Sequence, residues 1–297
     1  MAPELNAAPQ EEQKRASAST ATPQEGQLRA SAPPQEAQNR ASSRPGVPQE
    51  GQISAIQRLY GSGLPGAAER HRATLRKHVP TCCYDDEYGE MFTSREAART
   101  ASRFRRKGLR GTAAELAGAV RVVARKGSSL IEVGGGAGQI QVELLESGVV
   151  AKSLNIEMSD SWEEAGLALI EEHGLAGRIE RRIGDFVDHA EGLPLADVVI
   201  LHRVICCYPD WRSMLTAAAS RAQEVVGVTI PAYRWTNRLM VGLANLTLKL
   251  RGMQFRGFVH PTQPMIELMT SAGFQIAHDQ THPVWRTVVF QRLDPVG

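Results

Sequence analysis

Three acidic residues stand where the chain could hold a ligand. Glu132 lies two residues before the run Gly134-Gly135-Gly136-Ala137-Gly138. Glu157 closes the apolar stretch Leu154-Asn155-Ile156, and Asp185 follows Gly184. Glycines let a backbone turn with positive φ and let a ligand approach the main chain without meeting a Cβ. The free N–H groups that open a helix add a partial positive field. A carboxylate at the end of the second strand can accept both hydroxyls of a ribose. Glu132 is costly at a buried strand end without a cation or donors, so a bound amino or sulfonium group would stabilise it. Asp185 also has the plainer reading of a turn residue after a glycine.

These residues need a scaffold that brings strand ends together. From Leu130 onward, strand-like runs (130–133, 153–157, 179–183, 198–201, 225–230, 274–277 and 287–293) alternate with helical patterns at 139–146, 162–173, 211–222 and 264–271. The first five runs are short and continuous, which predicts strands of a parallel sheet covered on both faces. The alternation predicts an α/β fold: a doubly wound, mostly parallel seven-stranded sheet. Helical segments at about 94–107 and 109–126 precede it. An insertion at about 232–263 leaves the carboxyl end of the fifth strand, a suitable place for a substrate lid.

Two ligand families use a glycine turn after the first strand. The dinucleotide fingerprint needs a third glycine at position 139, where this chain has Gln139. Glu132-x-Gly134-x-Gly136-x-Gly138 instead resembles the first motif of the class I S-adenosylmethionine-dependent methyltransferases. Glu157, Gly184-Asp185-Phe186 and the run Ala196 to Val204 resemble the later motifs, in order, and the likeness covers about residues 82–293. It implies S-adenosylmethionine as cofactor, held by Glu132, Gly134, Gly136, Gly138 and Glu157. It further implies Asp185 beside the adenine amino group, Phe186 against the ring and Leu201 flanking the methionine part. Tyr84, Tyr88 and Phe92 resemble the aromatic segment that closes over the cofactor, with Tyr88 the contact expected; core packing explains them equally well. The layout of 231–274 is similar to that of magnesium-protoporphyrin O-methyltransferases, which would imply a carboxylate acceptor.

Methyl transfer from a sulfonium is an in-line displacement in which positioning supplies much of the rate. A base is needed only if the acceptor must lose a proton. His202 and Tyr208 are the catalytic candidates, with Asp210, Tyr233 and His260 as further possibilities; His202 has an equal claim as a packing residue. The adjacent pairs Cys82-Cys83 and Cys206-Cys207 lack Cys-x-x-Cys spacing, so no metal is expected.

The remaining text sets the surroundings. Residues 1–52 repeat Pro-Gln-Glu four times with almost no large apolar side chain, which predicts a disordered tail. The segment 53–126 is expected as a helical cap and 127–297 as the cofactor-binding domain. A formal charge of +2 over 297 residues argues against a nucleic-acid partner. No charged stretch with an apolar core opens the chain, and the apolar helix candidate 239–250 is too short to span a bilayer, so a cytoplasmic protein without a membrane partner is expected. The function expected is methyl transfer to a small-molecule acceptor. Two alternatives stay open: a scaffold that binds the cofactor without catalysis, and a nicotinamide-dependent oxidoreductase.

Overall fold

The computed structural model describes residues 91–293. The expected tail, Tyr84, Tyr88 and the Cys82-Cys83 pair lie outside the described residues. Among the described residues seven strands form one sheet in the order β3-β2-β1-β4-β5-β7-β6. They are β1 (Ser128–Val133), β2 (Val150–Glu157), β3 (Ile179–Ile183), β4 (Ala196–His202), β5 (Ala222–Pro231), β6 (Phe274–Thr281) and β7 (Trp285–Arg292). The first five pair in parallel, while β7 runs antiparallel between β5 and β6. The doubly wound, mostly parallel α/β sheet expected from the alternation is the fold observed.

Helices cover both faces. On one lie α1 (Ser94–Lys107), α2 (Gly111–Val123), α3 (Gln139–Glu146) and α4 (Glu163–Glu172). On the other lie the short α5 (Phe186–His189), α6 (Trp211–Arg221) and α8 (Thr262–Ser271). The central strands alternate between them: Leu130, Val198 and Ile200 face the first layer, and Ile131, Val133, Val199 and Leu201 the second. The insertion after β5 forms helix α7 (Trp235–Leu250) and an extended return.

One expectation fails at β3. It is an edge strand rather than one covered on both faces, and Ile183 is 47% exposed. Its centre, Glu180-Arg181-Arg182, supplies the charges that suit an unpaired edge. The Arg-rich end of α1 is partly the solvated helix terminus expected: Gly108 caps it at φ 63°, and Arg105 pairs with Glu172 across to α4 at 2.6 Å.

A close helix-to-sheet approach joins α2 to β5. Gly227 sits between Ile200 and Val289 in the register, and a Cβ there would stand 2.8 Å from Leu116 Cδ1. Leu116 is fully buried. Leu116→Ala should therefore cost about 2–5 kcal/mol. Gly227→Ala should destabilise the native core by overpacking yet cost less in the Leu116→Ala background, because the cavity receives the added methyl. Denaturant midpoints of the two single variants and the double variant measure that coupling; strict additivity would contradict the packing described.

Candidate functional site

The site grows from the turn between β1 and α3. Gly134, Gly136 and Gly138 adopt φ values of 58°, 58° and 80°, the left-handed region that side chains disfavour. Each also meets a close neighbour. A Cβ on Gly134 would stand 2.6 Å from Val204 Cγ2, and one on Gly136 3.2 Å from the Trp162 ring. Gly135, which the motif leaves variable, is constrained as well: a Cβ there would overlap the Asn155 amide and stand 2.6 Å from the Glu132 carboxyl carbon.

The acids are buried beneath and beside this loop. Glu132, 1% exposed, pairs in register with Asn155 of β2, and its Oε2 has no hydrogen-bond partner among the described residues. Burial pushes its carboxyl up to about 8, against the opposing pull of the Arg181 charge and the Gln141 N–H. Glu157 accepts from the N–H groups of Gly136 at 2.8 Å, Met158 at 2.9 Å and Ser159 at 3.3 Å. Burial raises its carboxyl too, with those N–H groups opposing. A carboxylate offers about four lone-pair sites, so accepting capacity remains.

Arg181 of β3 was not legible as a site residue. Its side chain is only 3% exposed; it donates to Glu163 at 2.8 Å and to the Gly136 carbonyl at 3.0 Å. Gly136 is thus held through its N–H by one strand end and through its C=O by the next strand. Trp162, at the end of a short 3-10 turn after β2, was missed similarly; its ring lies over Gly136 and 6.5 Å from that of Phe92.

These parts border one cavity of about 580 Å³, within the roughly 300–1,000 Å³ usual for ligand pockets. Of the residues singled out from sequence, Glu132, Gly134, Gly136, Glu157, Phe186, His202 and Tyr208 line it. Three do not. Gly138 turns the chain into α3 behind the lining. Leu201 is fully buried in the core of the opposite layer. Asp185 is the N-cap of α5, its carboxylate accepting from Val187 N at 2.8 Å and from the Tyr208 hydroxyl at 3.1 Å; burial raises its carboxyl. Asp197 lies at the far end of β4, where it accepts from the Ser129 N–H and hydroxyl.

The segment after β4 forms another wall. Arg203 is the sole non-glycine residue with positive φ (60°) among those described, and it stacks 4.3 Å over the Trp285 ring. It donates to Thr112 Oγ1 at 3.0 Å, which lies 3.0 Å from His202 Nε2. Burial, then the Arg203 charge, lowers the imidazole to about 3. Cys206 and Cys207 follow with their sulfurs 3.7 Å apart and no disulfide. Among the described residues no group of three His, Cys, Asp or Glu side chains could hold a metal ion.

The insertion ties onto this wall. Phe258 N donates to Cys206 O at 2.7 Å and His260 Nε2 to Tyr208 O at 2.9 Å. Phe255 packs on Phe92, Met158 and Cys207, three residues that border the cavity. Arg103 and Arg110, together with Glu96, also line the cavity.

No known family matches the sequence and no curated protein does. Solved structures do match. An O-methyltransferase family protein from Burkholderia thailandensis superposes with a TM-score of 0.55 at 18% identity, over 81% of this chain and 70% of that one. The fold is that of the class I methyltransferases. An O-methyltransferase family 2 protein from Planctomyces limnophilus DSM 3776, solved with apigenin, gives 0.51 at 16% identity over 66% and 62%. Magnesium protoporphyrin IX methyltransferase from Synechocystis PCC 6803 reaches 0.48 at 15% identity over 82% and 95%, too low to support the resemblance seen in the 231–274 layout. Within this class I methyltransferase fold the glycine turn, Glu132 and Glu157 occupy the carboxyl ends of β1 and β2, where open α/β sheets bind ligands.

The histidine's environment fixes a pH dependence. His202 is depressed in the fold, so the unfolded chain protonates it near 6.5 while the folded chain does so only near 3. The stability from its neutral burial is full above about 6.5 and is lost as pH falls toward about 3. Between pH 7 and 4, wild type should lose more stability than His202→Gln, measured by denaturant midpoints at each pH. Equal losses would show that the imidazole titrates normally.

Proposed function

We propose that this chain is an S-adenosylmethionine-dependent methyltransferase acting on a small-molecule acceptor. The observation that carries the reading is the pair of buried carboxyls, Glu132 and Glu157, bracketing a glycine turn at the edge of one cavity. Glu132 Oε2, buried without a partner, fits a cationic ammonium, and Glu157, with about one acceptor site left on Oε2, fits a ribose hydroxyl. The fold shared with O-methyltransferases supports the same reaction class. Bound there, the cofactor would supply a methyl group on a sulfonium, open to in-line displacement.

The chain's own contribution is positioning and the exclusion of water. Glu157 and Arg181 hold Gly136 from both sides, and Trp162 and Phe92 wall the cavity with aromatic surface, Phe92 backed by Phe255. His202 serves as a hydrogen-bonded wall residue and not as the base, because an imidazole near 3 is a weak proton acceptor at neutral pH. Tyr208 spends its hydroxyl proton on Asp185. This arrangement suits an acceptor whose lone pair is already free.

Calorimetry with S-adenosylhomocysteine and NADH side by side tests the cofactor: the first should bind and the second should not, and the reverse would overturn the reading. Glu157→Gln should weaken S-adenosylhomocysteine by about 1–3 kcal/mol. Protons provide an independent readout. With its carboxyl near 8, Glu132 is mostly protonated at pH 7, and a cationic ammonium against it favours the ionised form. Binding should then release up to about one proton at pH 7, seen as a dependence of the binding heat on the buffer's ionisation heat, and Glu132→Gln should abolish the release. No release from wild type would remove Glu132 from the ammonium site.

A further inference from the structure

Helix α7 of the insertion is turned inside out. Its inward stripe is Asn237, Val241, Asn245 and Leu248, and Asn237 is its only buried residue. Asn237 donates to the carbonyls of Ala232, Pro283 and Val284. Asn245 holds Gly257 through both its N–H (2.8 Å) and its C=O (2.9 Å). The outward stripe, at the same helical spacing, is Trp235, Leu239, Leu243, Leu246 and Leu250, which are 75, 55, 58, 52 and 79% exposed. An ordinary surface helix has the opposite polarity. A continuous apolar stripe of this length marks a docking surface.

Charge decides what docks. Between Val225 and Ile266 the chain has no Asp or Glu, while Arg234, Arg238, Lys249, Arg251 and Arg256 lie in or beside the helix. A second copy would set these same cations against each other across a two-fold axis. The segment 53–79 of the chain carries Arg58, Arg70, Arg72, Arg76 and Lys77 against the single acid Glu69, so its sign is the same. An anionic bilayer surface complements both features: apolar side chains enter the acyl boundary, cations meet the headgroups, and Trp suits the interface. The 16-residue helix is about 24 Å long, short of the roughly 30 Å hydrocarbon core, so it would lie in the plane of the surface. We infer that the outward stripe of α7 docks this protein on an anionic lipid bilayer.

The inference is independent of the methyl-transfer reading, and its test reads binding alone. The full chain is sedimented with vesicles of phosphatidylcholine, with or without phosphatidylglycerol. Wild type should bind the anionic vesicles, with affinity falling as salt rises. Leu243→Glu combined with Leu246→Glu should weaken that binding by more than about tenfold; both side chains point away from the fold, and circular dichroism checks that it survives. Arg238→Glu with Lys249→Glu should weaken it too. Three outcomes overturn the inference. They are no binding by wild type, binding that the leucine variant leaves unchanged, and a wild-type dimer in analytical ultracentrifugation that the leucine variant dissolves, which would give the stripe to a second copy.

Discussion

A carboxyl group buried at the end of a central strand has to be met by donors or by charge, and the glycine turn is arranged around meeting that of Glu132. The side chain folds under the turn toward the first turn of α3, in reach of the Gln141 N–H. That leaves no room for a Cβ at Gly135. Arg181 reaches across from β3, its charge opposing the rise that burial imposes on the Glu132 and Glu157 carboxyls, and its guanidinium excludes any side chain from Gly166 of α4, where a Cβ would stand 2.7 Å from it. One buried acid thereby ties together β1, β2, β3 and the first turns of two helices. With Gly136 bonded on both its N–H and its C=O, the turn is set before any ligand arrives, so binding loses little to ordering it.

The same tie explains what the sequence could and could not disclose. Glu132 and Glu157 stand out because each closes a short apolar run, and a charge at the end of such a run needs a reason. The parallel strands were legible for a related cause: residues buried on both faces leave continuous apolar text. Gly135 and Gly166 were not legible, since what forbids a side chain at each comes from Glu132, Asn155 or Arg181, and only the folded chain brings these together. Arg181 hides in Glu180-Arg181-Arg182, which reads as a solvated edge; of the two arginines one is buried and the other 45% exposed. Alternation along the strand separates them, but nothing in the run says which face is covered.

The candidate acid–base residues are also engaged by neighbours far away in the sequence. His202 at a strand end looks like a base, yet burial and the Arg203 charge depress its imidazole, and Thr112, 90 positions earlier in α2, stands 3.0 Å from its Nε2. Arg203 completes that arrangement, held in a left-handed conformation and stacked on Trp285 of β7. A non-glycine residue there costs of order 1–3 kcal/mol, offset by the cation–π contact and the bond to Thr112. Asp185 behaves similarly: its acceptor capacity is shared between a helix N-terminus and Tyr208. With these groups engaged in this way, the proposed methyl transfer would rest on orientation, which is what an in-line displacement asks of a protein.

The insertion shows why length alone was the wrong question for a membrane. The apolar text at 239–250 is too short to span a bilayer, and no described helix is long and apolar enough to do so. Lying on a surface sets no such requirement; it needs one free apolar face and cations beside it. Whether that face is free depends on what holds the helix from inside. In α7 two asparagines do so with hydrogen bonds to backbone groups, joined by Val241 against Gly257 and Leu248 against Phe255. Hydrogen bonds to fixed carbonyls are directional, so they set the rotation of the helix as apolar packing would not. The large apolar residues are therefore held outward instead of rolling into the core, and the return segment, through Phe255, backs Phe92, Met158 and Cys207 of the cavity wall.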